Sequence, residues 1–273
     1  MGNNNLEKLS DLYYTAIEAR KKLGMTRDAF NHYVKTGAIQ KTTIVGKHGH
    51  FAKRDIDALA MNIAAAMLAA QAPDITFKKA TLKDQEKEFE LAVLNFGEQT
   101  KRFHPYRHNL LASNPDMSYY IYDREHMVAS INVVPLRHEG IVKFKDGERG
   151  WFLGEYVEQY EPDRPLEVII IDFMTSPLAP ANRRTQYAMH LFFGLGRLLE
   201  EWGKQGIDIV SIHACGGTPQ GRRLLETAGF SKIGEFGARH IYEVIVDDTN
   251  LNLLAAYKKA IEDYKASKSY ELT

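Results

Sequence analysis

The stretch LEVIIIDFMTS, Leu166 to Ser176, constrains the fold of this chain more than any other. Its apolar residues run almost unbroken and are rich in isoleucine, so neither face of such a strand can lie in water. The pattern predicts a central strand buried on both faces. The next stretch, LAPANRRTQYAMHLFFGLG, opens as a loop and turns into a helix. Tyr187, Leu191, Leu195, Leu198 and Leu199 recur there at helical spacing, with Asn182 or Thr185 as the expected N-cap. GIDIVSIHACG then returns as a strand, which completes a strand, turn, helix, strand unit of mostly parallel kind.

The flanking segments fit the same plan. ITFKKAT reads as a strand, LKDQEKEFELAVLNFGEQ as an amphipathic helix and HPYRHNLLAS as another. MSYYIYD and HMVASINVVPL read as strands joined at Asp123-Arg124-Glu125. GIVKFK and WFLGEYVEQY read as a further pair around Asp146-Gly147, a dipeptide that favours a hairpin. TPQGRRLLETAGFSKIGEFGARHIYEVIV gives a helix, a tight exit at Ala228-Gly229-Phe230 and two more strands. The last segment, TNLNLLAAYKKAIEDYKAS, is an amphipathic helix with Leu254, Tyr257, Ile261 and Tyr264 on one side, which either covers the sheet or joins a dimer contact.

Upstream of all this, the alanine-rich helix IDALAMNIAAAMLAA stops at Gln71-Ala72-Pro73-Asp74, because Pro73 cannot continue it. Charge shifts at the same place. Residues 1–70 hold 10 Lys and Arg against 6 Asp and Glu, while the 273-residue chain as a whole is neutral. We therefore divide the chain at 1–72, 73–247 and 248–273. With 44% hydrophobic and 26% charged residues it reads as globular. A single cysteine, Cys215, excludes a disulfide framework and a multi-cysteine zinc site. No window is apolar for long enough to span a bilayer, and the start lacks a signal-peptide pattern, so a cytoplasmic location without membrane contact is expected.

In the front segment, Thr15 and Thr26 are expected N-caps of two short helices separated by a corner at Gly24. Phe30, Tyr33 and Val34 are expected to face inward, with Arg27, Asn31, His32 and Lys35 outward. TTIVGKHGH follows with the rhythm of a small hairpin, and FAKRDIDAL starts another helix. This order resembles the winged helix-turn-helix domains of the MerR and excisionase type. The resemblance implies double-stranded DNA as a partner, with Arg27, Asn31 and His32 at base edges and Lys35, Lys41, Lys47 and His50 at phosphates. The residues alone also fit a structural module with solvated charges. His32, His48 and His50 lack an acid or thiol at ligand spacing, so no metal is expected. The alanine-rich helix permits close approach, which makes a homodimer one option and packing within the chain the other.

From residue 75 onward the element order resembles the GNAT superfamily of N-acyltransferases, and the fold class expected is α+β, a small winged module followed by a mixed sheet flanked by helices. The family's loop reads roughly V-x-P-x-x-R-x-x-G-x-G/A. Leu178, Pro180, Arg183, Gln186 and Ala188 stand at its positions, with Gln186 replacing a glycine. The resemblance implies acetyl-CoA or another acyl-CoA held by Leu178, Arg183, Arg184, Thr185, Gln186, Tyr187, Ala188 and Thr218, and transfer to a small-molecule or protein amine. Main-chain N–H groups at a helix mouth would grip the pyrophosphate whatever the side chains. Gln186 would narrow the space, and Arg183 and Arg184 would compensate.

The resemblance also implies a carboxylate base on the central strand, Asp172 or else Glu167. Between Ile171 and Phe173, Asp172 is expected to be desolvated and its pKa raised. An equal alternative is that Asp172 bonds backbone groups at a strand irregularity. Leu225 stands where the family has a tyrosine acid, and Thr218 where it has an asparagine, so a catalytically silent sensor of CoA or another ligand is the competing expectation. Cys215, His104, His108 and the tyrosines 119, 120 and 122 read as packing or surface residues.

Overall fold

A computed structural model of the chain describes residues 12–42, 49–72, 74–249 and 251–271. Strand β1 (Tyr13–Thr15) leads into helix α1 (Ala16–Lys22), which Thr15 opens with a capping box through Glu18. Helix α2 (Arg27–Lys35) starts at Thr26, whose hydroxyl accepts from the Ala29 N–H at 3.3 Å. Between them Gly24 takes φ +63°, the left-handed conformation that a corner of this kind demands. Strand β2 (His50–Ala52) pairs antiparallel with β1, and a bridge joins Thr42 to His50. Phe30, Phe51, Ala19, Leu23, Ile39 and Ile56 form the small core of this unit. Tyr33 departs from expectation, being 43% exposed with its ring edge-on to His32.

Helix α3 (Lys53–Gln71) leaves that core and ends at Ala72, its C-cap. It packs against the C-terminal helix of the same chain, to which Arg54 is joined by an ion pair with Glu262. The chain then builds a seven-stranded mixed sheet flanked by helices. Its strands are β3 (Ile75–Lys79), β4 (Ser118–Asp123), β5 (His126–Leu136), β6 (Pro165–Thr175), β7 (Asp208–Gly216), β8 (Ser231–Phe236) and β9 (Arg239–Ile245), in the order β3-β4-β5-β6-β7-β9-β8. Only β6 and β7 are parallel. The nearly continuous apolar run Leu166–Ile171, broken only by Glu167, thus lies in the centre, as its lack of alternation demands.

One face of the sheet is covered by α7 (Ala181–Lys204), over which α9 (Asn252–Glu271) lies. Tyr187, Leu191, Leu195 and Leu199 are buried in that layer, and a fully buried side chain of this size contributes about 1.5–3 kcal/mol. Tyr257 locks α9 down: its hydroxyl bonds the Ile209 N–H at 2.5 Å and donates to the Ile207 carbonyl at 3.0 Å. The other face carries α4 (Gln85–Phe96), α5 (His104–Ser113) and α6 (His138–Lys145), with their own core around Leu110, Phe144 and Trp151. Helix α8 (Pro219–Thr227) links β7 to β8.

Two expectations are overturned here. The segment GIVKFK is helical, with Gly140, Ile141 and Phe144 buried at helical spacing. WFLGEYVEQY forms two short 3-10 turns, Gly150–Phe152 and Gly154–Tyr156, packs on the sheet through Trp151 and Leu153, and bridges it between Leu136 and Val157. A short apolar run cannot be assigned to helix or strand by periodicity alone, and Gly147, at φ +97°, ends the α6 helix here instead of turning a hairpin. The cap of α7 is also different. Pro180 holds the N-cap position, and the Thr185 hydroxyl donates back to the Ala181 carbonyl.

Candidate active site

Strands β6 and β7 pair from Pro165/Asp208 to Ile170/Ala214 and then part. The cause lies in β6, where Asn132 opposes Ile171 and Ser130 opposes Met174, so Asp172 and Phe173 share the place opposite Ile131. This is a β-bulge. Asp172 occupies it with φ +55°, a conformation that aspartate tolerates better than most side chains and that costs on the order of 1 kcal/mol or more.

A cleft of about 680 Å³ opens where the strands part, and its walls come from both faces of the sheet. Ile131, Ile170, Phe192 and Leu195 line it on the α7 side, while Phe103, Arg107, Trp151 and Asp172 line it on the other. Thr218, Gly221, Leu224 and Leu225 close one end. A groove through a continuous sheet would strand backbone hydrogen-bonding groups; the bulge and the divergence of β7 make it possible here.

Asp172 is tied down inside this cleft. Arg107 on α5 donates one Nη to Asp172 and the other to Glu88 on α4, at 2.5 Å for Glu88. The side chains of Glu88 and Arg107 are 2% and 3% exposed and that of Asp172 16%, so Asp172 is the most open of the three, and it and Arg107 both reach the cleft wall. Burial pushes the Asp172 and Glu88 carboxyls up from the ordinary carboxylate range, against the pull of the Arg107 guanidinium. Two carboxyls thus compete for one guanidinium, and only with both ionised is the cluster net negative. Arg107 is stacked by Trp151, 4.0 Å from its ring centre. Neither Glu88 nor Arg107 stood out in the sequence. The signal was an acid and an arginine on inward faces of helices that otherwise bury apolar residues.

Glu167 lies elsewhere. It is five positions before Asp172 on β6, outside the cleft walls, and belongs to a second polar cluster. His138 Nδ1 stands 2.8 Å from one Glu167 oxygen, and the Ser211 hydroxyl is 3.2 Å from the other. Ser211 also lies 2.9 Å from His213 Nε2, and Lys145 donates to Glu243 at 2.7 Å.

The loop residues divide likewise. The cleft lining stops at Phe173 on β6 and resumes at Phe192 on α7, so Leu178, Arg183, Arg184, Thr185, Gln186, Tyr187 and Ala188 are not in its walls, whereas Thr218 is. Leu178 is 77% exposed, and Arg184 and Thr185 are exposed as well. Arg183 is spoken for: it donates to Asp123 at 2.8 Å and to the Gln186 amide oxygen at 2.7 Å, and the Tyr187 hydroxyl donates to the same Asp123 oxygen at 2.6 Å. Pro180 provides no side-chain cap, which leaves the first N–H groups of α7 without a side-chain acceptor and suited to an anion. These main-chain donors fit a pyrophosphate; Arg183 fits it only by leaving Asp123.

In the front unit, Arg27, Asn31, His32 and Lys35 are exposed on α2, and Lys41 is exposed after it. His50 is half-buried in β2, with its Nδ1 shielded and without a partner among the described residues. Lys47 lies outside the described residues. Among the described residues no helix is long and apolar enough to cross a membrane.

No family model matches the sequence and no curated protein matches it. Among solved structures the fold is similar to a GNAT-family acetyltransferase from Bacillus cereus, at 12% identity and a TM-score of 0.38, over 63% of this chain and 96% of that one. It is similar also to the PaiA N-acetyltransferase of Thermoplasma acidophilum in complex with coenzyme A, at 11% identity and a TM-score of 0.40, over 63% and 98% of the two chains. Ard1 from Thermoplasma volcanium is matched at 11% identity and a TM-score of 0.40, over 63% and 97%.

Proposed function

We propose that this chain is an acyl-CoA-dependent N-acyltransferase joined to a DNA-reading head. The observation that carries the enzymatic half is the cleft through the sheet, with Asp172 on its wall at the point where β6 leaves β7. Two reactants can enter such a passage from opposite faces and meet at its waist, which is what direct transfer without a covalent enzyme intermediate requires.

An acyl-CoA supplies the thioester. The main-chain donors at the α7 mouth, just outside the cleft lining, and Thr218 within it hold its carrier, and Phe192, Leu195 and Ile170 exclude water from the arm leading inward. Asp172, or a water it orients, takes the proton that the attacking amine loses as the C–N bond forms and the C–S bond breaks. Its raised affinity for protons suits it to an ammonium donor. Backbone groups of β6 released from pairing beyond Ile170 polarise the carbonyl. Release of free thiol from acetyl-CoA in the presence of a panel of amines tests the reading; no release with any amine refutes it.

A second reading is favoured by Leu225. It lines the cleft where a proton donor for the departing thiolate is expected, and an aliphatic side chain cannot serve. In that reading the cleft binds CoA or a related ligand without turnover and biases the head. Calorimetric CoA binding without thiol release distinguishes it.

For the head, the exposed row Arg27, Asn31 and Lys35 on α2, each one helical turn from the next, supports duplex recognition through the major groove. Duplex binding that weakens steeply with salt is the expected result. Helix α3 gives a route between the halves, since it packs on α9, and α9 on α7.

A further inference from the structure

We propose that the arm of the cleft on the α5 side takes an amine that also carries a carboxylate or similar anion, an amino-acid-like acceptor and not a polycation. The transfer step rests on the acyltransferase reading; the binding preference does not.

The placement of the charges carries the argument. Gly150 lies so close to β6 that an added Cβ would stand 2.6 Å from Ile171 Cδ1, which presses residues 149–151 against the strand beside Asp172. From the far edge, Arg239 donates to the Gly147 carbonyl at 2.6 Å and to that of Glu148 at 3.2 Å, bringing its guanidinium to the same segment. Arg149 stands over the Phe103 ring at 5.2 Å. Both arginines line the cleft, and neither has a carboxylate partner among the described residues.

Asp172 is the sole acid on the cleft walls among the described residues, against Arg107, Arg149 and Arg239. Arg107 is already matched by Glu88 and Asp172. Of the remaining two, Arg239 is half-buried beside the largely apolar cleft and Arg149 is exposed at its edge, so both can reach an anion carried by a molecule in the cleft. A polyamine entering here would meet one carboxylate and two like charges. An amino acid instead sets its amine against the Asp172 carboxyl on the cleft wall and its carboxylate against Arg149 and Arg239, with Phe103 and Trp151 against its apolar body.

The test uses the full chain. Calorimetry with the twenty standard amino acids, their decarboxylated counterparts and spermidine reads binding with and without acetyl-CoA, and thiol release reads transfer. At least one amino acid is expected to bind, and to be acylated, about tenfold or more in preference to its decarboxylated counterpart. Arg239→Gln and, separately, the exposed Arg149→Gln are expected to collapse that ratio, with the unfolding midpoint as the control on folding. A preference for the decarboxylated amines or spermidine, or no binding of any amino acid, overturns the proposal. Preferential amino-acid binding without thiol release upholds it while sinking the acyltransferase reading. Acylation confined to anion-free amines does the reverse.

Discussion

Arg107 and Asp172, 65 residues apart in sequence, are joined by an ion pair whose second half is the fully buried Glu88. Removing the arginine leaves two uncompensated carboxyls in the interior. Arg107→Met is expected to cost about 3–5 kcal/mol, read from denaturant unfolding, and the double replacement Glu88→Leu, Arg107→Met much less. Equal losses in the two variants would contradict a paired, desolvated triad.

The carboxyl of Asp172 holds its proton above the ordinary carboxylate range because it is buried. A raised carboxyl contributes stability fully below its unfolded value, about 3.9, and loses that contribution as pH rises through the folded value. Activity runs the opposite way, since the base must be ionised. The acid limb of kcat/KM is expected above the usual carboxylate range in the native chain. It disappears in Asp172→Asn, with kcat lower by about 10²–10⁴. An unchanged limb in the variant assigns the titration to another group.

His213 is fully buried, and burial first, then the charge of Lys145, lowers its pKa to about 4. The neutral ring is the folded form. Its stabilising effect is therefore complete above the unfolded value of about 6.5 and is lost as pH falls from there toward the folded value. The urea midpoint of the native chain should drop between pH 7.5 and 5, and that of His213→Gln should drop less.

Gly203 marks a close approach of α7 and α9: an added Cβ would lie 3.0 Å from both Ala260 Cβ and the Tyr257 carbonyl. Gly203→Ala gains helix propensity but must push the helices apart. A net loss of about 1–3 kcal/mol in unfolding free energy is expected, with a stable variant showing that the pair has room to slide.

On α2, Asn31→Ala and Arg27→Ala are expected to weaken the best duplex site by about 1–3 kcal/mol each and to relax its sequence preference. Lys35→Ala is expected to weaken all duplexes alike and flatten the salt slope by about one. Fluorescence anisotropy against matched and scrambled duplexes separates the two kinds of contact.

Much of this architecture was readable along the chain because it is written in local periodicity. The isoleucine run of β6, the helical spacing of Tyr187 to Leu199, and the caps at Thr15 and Thr26 each report on a few consecutive residues. Residues 138–160 were misread since a short apolar run bounded by glycine fits helix and strand equally, and only packing decides.

The amino-acid sequence by itself determined the central strand, its following helix, the end of the alanine-rich helix near residue 72 and the presence of an acid between Ile171 and Phe173, since these depend on burial pattern and backbone chemistry at one place. Only the tertiary structure decided what that acid meets. The bulge at Asp172, the splay of β7, the approach of Arg107 from α5 and the capture of Arg183 by Asp123 are all contacts between distant segments. Charge pairing across such distances leaves no periodic trace, because it depends on where several elements dock and not on how any one of them folds.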